Sequence, residues 1–78
     1  MVTGIDEIDW VTAGEQEFQR LFAVDPENGM LYLIRGRAYE TLGERALAAA
    51  EYRKALEFFP EGDLFRDRVL RALARVTN

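Results

Sequence analysis

The segment RGRAYETLGERALAAAEYRKALEFFP, residues 35–60, decides the fold of this chain. Two stretches with helical spacing of apolar residues meet at a single glycine, Gly43, and the second stretch ends at Pro60. Glycine permits the left-handed backbone that often ends a helix, and proline cannot continue one. The segment therefore predicts two antiparallel helices joined by a short turn.

Residues that end or cap helices also divide the rest of the chain into segments. We predict helices near 10–24, 29–42, 44–58 and 64–77, and a short extra turn over 3–9 capped by Thr3. Asp25 and Asp63 stand before two of these helices, and Asp is a preferred N-cap residue. Nowhere does an apolar/polar alternation with β-branched residues persist, as it does in strands. The sequence therefore predicts an all-α fold of about four helices.

Helix 29–42 presents two adjacent apolar faces on a helical wheel. One narrow face carries Tyr32, Gly36, Tyr39 and Gly43, and the face beside it carries Leu31, Ala38 and Leu42. Two such faces predict packing against two neighbouring helices. The small residues Gly36, Ala48 and Ala55 favour a close approach between this helix and the next, with tyrosines filling the space around it.

The spacing of these residues resembles the tetratricopeptide repeat, a 34-residue helix–turn–helix with the pattern W-x2-L-G-x2-Y, then A-x3-F, then P. At the corresponding positions this sequence has Tyr32, Arg35, Gly36, Tyr39, Ala48, Tyr52 and Pro60. Two of the differences exchange one aromatic residue for another. Arg35 replaces a leucine, and its long stem can lie along apolar surface. Residues 29–62 therefore resemble one complete repeat.

A shift of 34 residues extends the resemblance in both directions. It places Pro26 on Pro60, Phe18 on Tyr52 and Leu21 on Ala55. It also places Gly14 on Ala48, a position that requires a small residue. Residues 9–26 thus resemble a degenerate half repeat, and 63–78 resemble a capping helix. The resemblance implies one domain, 1–78, built as a short right-handed antiparallel helix array. Such arrays usually need three or more repeats, so either the end helices or another copy of the chain must cover the core.

The resemblance also implies that the protein binds a partner protein or peptide in a groove lined by the first helix of each hairpin. The partner-binding residues that it predicts are Leu33, Arg37, Glu40, Asp67, Arg71 and Arg75, with Met30, Thr41, Leu64 and Ala74 beside them. Arginines there favour an acidic segment or a terminal carboxylate. The carboxylate clamp of that family is not expected here, because Ile34 occupies the position at which the clamp has its central asparagine. In the alternative interpretation, Arg37 and Glu40 simply pair with each other in solvent.

Charge is distributed unevenly along the chain, which favours self-association as the alternative function. Residues 1–34 carry seven acidic residues against Arg20 alone, a net of −6, and residues 35–78 carry nine basic against seven acidic residues, a net of +2. End helices of two copies could pair as a homodimer or larger species. The row Arg68, Arg71 and Arg75, with Arg66 nearby, either docks on an acidic surface or only solubilises a capping helix. Trp10 is either a partner anchor or a cover for the core.

Composition argues against other classes of protein. There is no Cys, His or Ser, so disulfides, thiolate sites and the usual catalytic bases are missing, and we expect neither an enzyme nor a cofactor or metal. The net charge of −4 disfavours a nucleic-acid partner. No apolar run reaches the length of a bilayer, so we expect no membrane association and a cytoplasmic location.

Overall fold

The computed structural model describes the backbone of residues 3–78 and the side chains of residues 14–78. Within residues 3–78 the chain has four helices and no strand, which confirms the predicted all-α class. The helices are α1 (Thr3–Val24), α2 (Gly29–Thr41), α3 (Arg45–Leu56) and α4 (Leu64–Thr77). α2 packs against α3, α3 against α4 and α1 against α2, so neighbours in sequence are neighbours in space.

The first helix is longer than predicted. α1 is continuous from Thr3, and residues 3–9 belong to it instead of forming a separate turn. No proline interrupts this segment, and an interior glycine such as Gly14 costs a helix only about 1 kcal/mol, too little to end it. The predicted side-chain cap at Thr3 and the two predicted roles of Trp10 lie outside the described side chains.

The cap of α2 also differs from the prediction. Asn28 is the N-cap, and its side-chain oxygen accepts a hydrogen bond from the backbone N–H of Met30 at 2.9 Å. The prediction of Asp25 was wrong, because the Asp25 amide still donates to the Leu21 carbonyl at the end of α1. Asp63 is confirmed as the N-cap of α4, since its carboxylate accepts from the amide of Phe65 at 2.8 Å.

Gly43 reverses the chain between α2 and α3, as predicted. Its φ of 81° lies in the left-handed region that favours glycine. Its amide donates to the Glu40 carbonyl at 3.0 Å, and the Glu44 amide donates to the Tyr39 carbonyl at 2.9 Å. These two bonds satisfy carbonyls at the end of α2 and stop the helix there.

The core lies around α3 and consists mainly of small residues. Its buried members are Leu33, Ala48, Ala49, Tyr52, Ala55, Val69, Ala72 and Val76. Tyr52 is fully buried, and its ring lies against the backbone of Gly36. The predicted close approach of α2 and α3 at Gly36, Ala48 and Ala55 is therefore present.

Aromatic rings and one arginine connect α1 to α2 and α3. The rings of Phe22 and Tyr32 have centroids 4.5 Å apart, and those of Tyr32 and Phe58 are 5.6 Å apart. The Arg35 guanidinium lies 4.5 Å from the Phe22 centroid and donates to the Glu51 carboxylate at 2.7 Å. Arg35 thus combines a cation–π contact with an ion pair, which explains how an arginine occupies this interhelical position.

Two arginines cap the helices of the last hairpin reciprocally. Arg45 of α3 donates to carbonyls at the end of α4, those of Arg75, Val76 and Asn78. Arg66 of α4 donates to carbonyls at and just beyond the end of α3, those of Leu56 and Phe59. Arginine at these positions satisfies carbonyls that have no partner within the helix. Arg66 therefore has a structural role, apart from the row formed by the other arginines of α4.

Candidate functional site

A cleft between α2 and α4 is lined by four arginines, and we call it the arginine cleft. Its volume is about 220 Å³, and its lining residues are Leu33, Arg37, Arg68, Arg71, Ala72 and Arg75. The residues from each helix are three or four positions apart, so they share one face of that helix. Because α2 and α4 both flank α3, these two faces border the same cleft.

The floor of the arginine cleft is apolar and its edges are charged. Leu33 and Ala72 are buried members of the core, whereas the four arginines are exposed. The resemblance predicted Leu33 as a groove residue, and the structure buries it in the core although it still borders the cleft. A concentration of positive charge on a chain of net charge −4 makes this surface electrostatically distinct from the rest of the protein.

Glu40 fixes one of the four guanidinium groups. Its carboxylate accepts hydrogen bonds from Arg75 Nε at 2.5 Å and Nη2 at 2.9 Å, a bidentate arrangement. It also accepts from the buried Tyr52 hydroxyl at 2.7 Å. The hydrogen bonds from Arg75 and then Tyr52 hold the pKa of Glu40 at about 2, against the penalty of its partial burial. Glu40 is therefore ionised at neutral pH, and it positions Arg75 at the edge of the cleft.

Arg37 does not pair with Glu40 as the alternative interpretation required. No acidic oxygen among side chains 14–78 lies within 4.0 Å of the guanidinium nitrogens of Arg37, Arg68 or Arg71. Arg68 lies 5.4 Å from the ring centroid of Phe65. Each guanidinium has five N–H donors in a planar fork, so the three together offer many donors to a carboxylate.

The structure brings four of the six predicted binding residues into one cleft, namely Leu33, Arg37, Arg71 and Arg75. Glu40 contacts the cleft through Arg75, whereas Asp67 is exposed on α4 and is not among the lining residues. Arg68, from the predicted basic row, also lines the cleft. Its three-residue spacing from Arg71 was the signal for this. A binding role for these residues stays a prediction.

A second cleft, between α1 and α2, is lined mainly by apolar side chains, and we call it the apolar cleft. Its volume is about 350 Å³, and its apolar lining consists of Gly14, Phe18 and Leu21 from α1 with Ile34, Ala38 and Leu42 from α2. Leu21, Ile34 and Leu42 each keep more than 40% of their surface exposed. The face with Ala38 and Leu42 was predicted to pack against a neighbouring helix, yet here it borders an open cleft.

The residues that the structure describes form a small all-α helix array that has a basic groove and an apolar groove. Comparison of the chain with protein-family models, curated proteins and solved structures finds no match. The tetratricopeptide resemblance of residues 29–62 therefore stays a prediction. None of the helices within residues 3–78 has both the length and the apolar character needed to cross a membrane.

Proposed function

We propose that this protein is a protein-interaction module that binds an acidic peptide segment in the arginine cleft. The observation that carries the proposal is the grouping of Arg37, Arg68 and Arg71 around an apolar floor without an acidic partner among side chains 14–78. Like charges placed together repel each other, so an anionic ligand relieves an unfavourable arrangement as well as forming new bonds. Hydrogen bonds between ionised partners are roughly twice as strong as neutral ones.

The size of the cleft favours one or two side chains of an extended segment. Pockets that enclose a small molecule measure roughly 300–1,000 Å³, whereas this cleft is smaller, about 220 Å³, and open. Its floor of Leu33 and Ala72 is apolar. The best ligand is therefore a segment in which an acidic residue lies next to an apolar one.

Arg75 contributes in a different way from the other three arginines. Its guanidinium is already oriented by Glu40, so it loses less side-chain freedom when a ligand arrives. The Glu40 carboxylate itself is occupied by Arg75 and Tyr52. We infer that Arg75 shapes one end of the cleft, while Arg37 and Arg71 supply most of the donors.

The resemblance to the tetratricopeptide repeat supports the same proposal. Members of that family bind proteins in a groove lined by first helices, and α2 and α4 occupy those positions in the resemblance. A nucleic-acid ligand is less favoured. The basic residues of α4 are not interleaved with aromatic residues that could stack on bases, and the chain is acidic overall.

A titration with a labelled acidic peptide tests the proposal. The probe is a fluorescent peptide that alternates Glu and Leu, and its matched control has Gln in place of Glu. Wild type should bind the acidic peptide, and Arg71→Glu should weaken that binding by about tenfold or more, because one charge-assisted contact contributes about 1.5–3 kcal/mol. The Gln peptide should not bind detectably.

Arg53→Glu is the control variant, because Arg53 is exposed on α3 and does not line the cleft. It makes the same change in net charge and should leave peptide affinity within about twofold at an ionic strength near 0.15 M, where distant surface charges are screened. Equal losses in both variants would mean general electrostatic attraction and would overturn the proposal. So would binding of the Gln peptide, or preferential binding of an RNA oligonucleotide that depends on Arg71.

A further inference from the structure

The two end helices each lack a neighbour that the inner helices have. α2 packs against both α1 and α3, and α3 packs against both α2 and α4, whereas α1 and α4 each have one such partner. The apolar cleft lies at the α1 end of this array. Its exposed residues Leu21, Ile34 and Leu42 make it the kind of surface that a further helix covers.

The chain itself contains a covered version of the apolar cleft, 34 residues further on. Five of the cleft residues are Gly14, Phe18, Leu21, Ala38 and Leu42. Their counterparts are Ala48, Tyr52, Ala55, Ala72 and Val76. All five counterparts are buried core residues. These five positions are therefore open at one end of the molecule and covered in its interior, whereas Arg68, the counterpart of Ile34, is exposed.

The helix that closes the interior surface is α2, which places Gly36 against the Tyr52 ring. A shift of 34 carries α2, residues 29–41, onto residues 63–75, which are α4 with its cap. α4 is thus the segment of this chain that corresponds to the covering helix. Within one molecule α4 lies beside α3, so the α4 that covers the apolar cleft must come from another copy.

We propose that α4 of a second copy of this chain docks in the apolar cleft between α1 and α2, which joins the copies head to tail. This inference does not depend on the peptide-binding function, because the arginine cleft lies between α2 and α4 of one copy. The contact is heterologous, so the same interface can form again at each free end.

Charge complementarity supports this occupant. Over its whole length α1 carries five acidic residues against Arg20 alone, a net of −4. α4 carries four arginines against Asp67 alone, a net of +3. In the proposed contact the acidic and basic helices become neighbours, which steers association and disfavours pairing of like ends.

The available space accounts for one large difference between the two covering helices, α2 and α4. Leu70 of α4 corresponds to Gly36 of α2, and 44% of its surface is exposed. The interior site accepts only a glycine there, because a Cβ would lie 2.5 Å from the Tyr52 ring. The apolar cleft has about 350 Å³ of open volume, in which the Leu70 side chain can be buried. Leu70 is therefore the central side chain that the proposed interface buries.

The decisive experiment measures absolute mass by light scattering after size exclusion, over a wide range of protein concentration. The measured mass of the wild type should exceed the 9.0 kDa of one chain and should increase with protein concentration. Ile34→Asp should block the cleft and Leu70→Asp should block α4, so each variant alone should be monomeric. Both positions are partly exposed, so the variants should keep the wild-type far-UV circular dichroism spectrum.

Mixing the two variants tests the direction of the contact. Ile34→Asp keeps a functional α4 and Leu70→Asp keeps a functional cleft, so the mixture should form a 1:1 heterodimer and nothing larger. Arg53→Glu, exposed on α3 and outside both clefts, should leave the wild-type mass unchanged, which controls for the change in net charge. A wild type that stays monomeric throughout overturns the proposal. A mixture that forms no heterodimer, or a Leu70→Asp variant that still self-associates, overturns it as well.

Discussion

The ring of Tyr52 occupies the space that a side chain on residue 36 would need. A Cβ built on Gly36 would lie 2.5 Å from Cε1 and 2.7 Å from Cδ1 of that ring. Tyr52 is fully buried, and its hydroxyl donates to Glu40, which lies in α2 one turn after Gly36. The contact that brings α2 and α3 together is therefore connected through one side chain to the edge of the arginine cleft.

Gly36→Ala should destabilise the protein even though alanine favours a helix. The added methyl group gains about 1 kcal/mol of helix propensity, but it forces the Tyr52 ring or the helices to move, which costs about 1–3 kcal/mol in a packed core. The two contributions together predict that the free energy of unfolding falls by up to about 2 kcal/mol in urea denaturation. An increase in stability, which helix propensity alone would give, would contradict the close contact.

Gly14→Ala is the matched control for that substitution. Gly14 also lies inside a helix, but a Cβ there would meet no atom within 4 Å. The propensity gain is then not opposed, and stability should rise by about 0.5–1 kcal/mol. Both variants should be measured at low protein concentration, because Gly14 borders the proposed contact between copies.

Glu40 should make the stability of the protein depend on pH in the acidic range. Its pKa is about 2 in the folded protein against an ordinary value of 4.5, because Arg75 and Tyr52 donate to the ionised form. A depressed folded pKa stabilises the protein above the unfolded value, and this stabilisation is lost as pH falls from about 4.5 to about 2. The thermal midpoint of wild type should therefore fall more steeply over that range than that of Glu40→Gln. Parallel curves for the two proteins would exclude this linkage.

Tyr52 should make the stability of the protein depend on pH in the alkaline range, where stability should fall as pH rises. Burial, followed by the hydrogen bond to Glu40, raises the pKa of Tyr52 from 10.0 to about 12. A raised folded pKa means that the contribution is complete below pH 10 and is lost as pH rises towards 12. Tyr52→Phe should lose less stability over that interval than wild type does. At pH 7 the same variant should be less stable by about 1 kcal/mol, because one hydrogen bond is missing.

Arg45→Ala should weaken the end of α4 although residue 45 lies in α3. It removes the donors to the carbonyls of Arg75, Val76 and Asn78. Water can replace part of the interaction at this exposed site, so we expect a loss of about 1–2 kcal/mol in the free energy of unfolding. Arg53→Ala, also on α3 but without such contacts, should change stability by less than about 0.5 kcal/mol. Equal effects would show that the capping contacts contribute nothing.

Local signals in the sequence predicted the helices well, because the residues that end or cap a helix act on their nearest neighbours. Gly43 and Asp63 have the predicted roles. Asp25 was misassigned because three polar residues follow one another closely in that turn, and the choice of Asn28 depends on where the first turn of α2 forms. The prediction of a separate turn over residues 3–9 was wrong, because no proline or other helix-ending residue divides this segment from the rest of α1.

Long-range partners could not be predicted from spacing alone. The tetratricopeptide resemblance placed Arg37 and Arg71 on groove-facing positions, and the structure brings them into one cleft. Helical spacing offered Arg37 as the partner of Glu40, since the two are three residues apart. The actual partner, Arg75, is 35 residues away, and its reach depends on how α2 and α4 both flank α3. Periodicity reports which face a residue occupies, but not which residue stands opposite.

The reciprocal capping by Arg45 and Arg66 has a consequence for the motions of the protein. Each helix of the last hairpin supplies a donor to the terminal carbonyls of the other, so unravelling one end exposes carbonyls on both. The amide hydrogens of α3 and α4 should therefore exchange with solvent deuterium in a single opening event, with similar protection in the two helices. Loss of either arginine should raise the exchange rates in its partner helix as well as in its own.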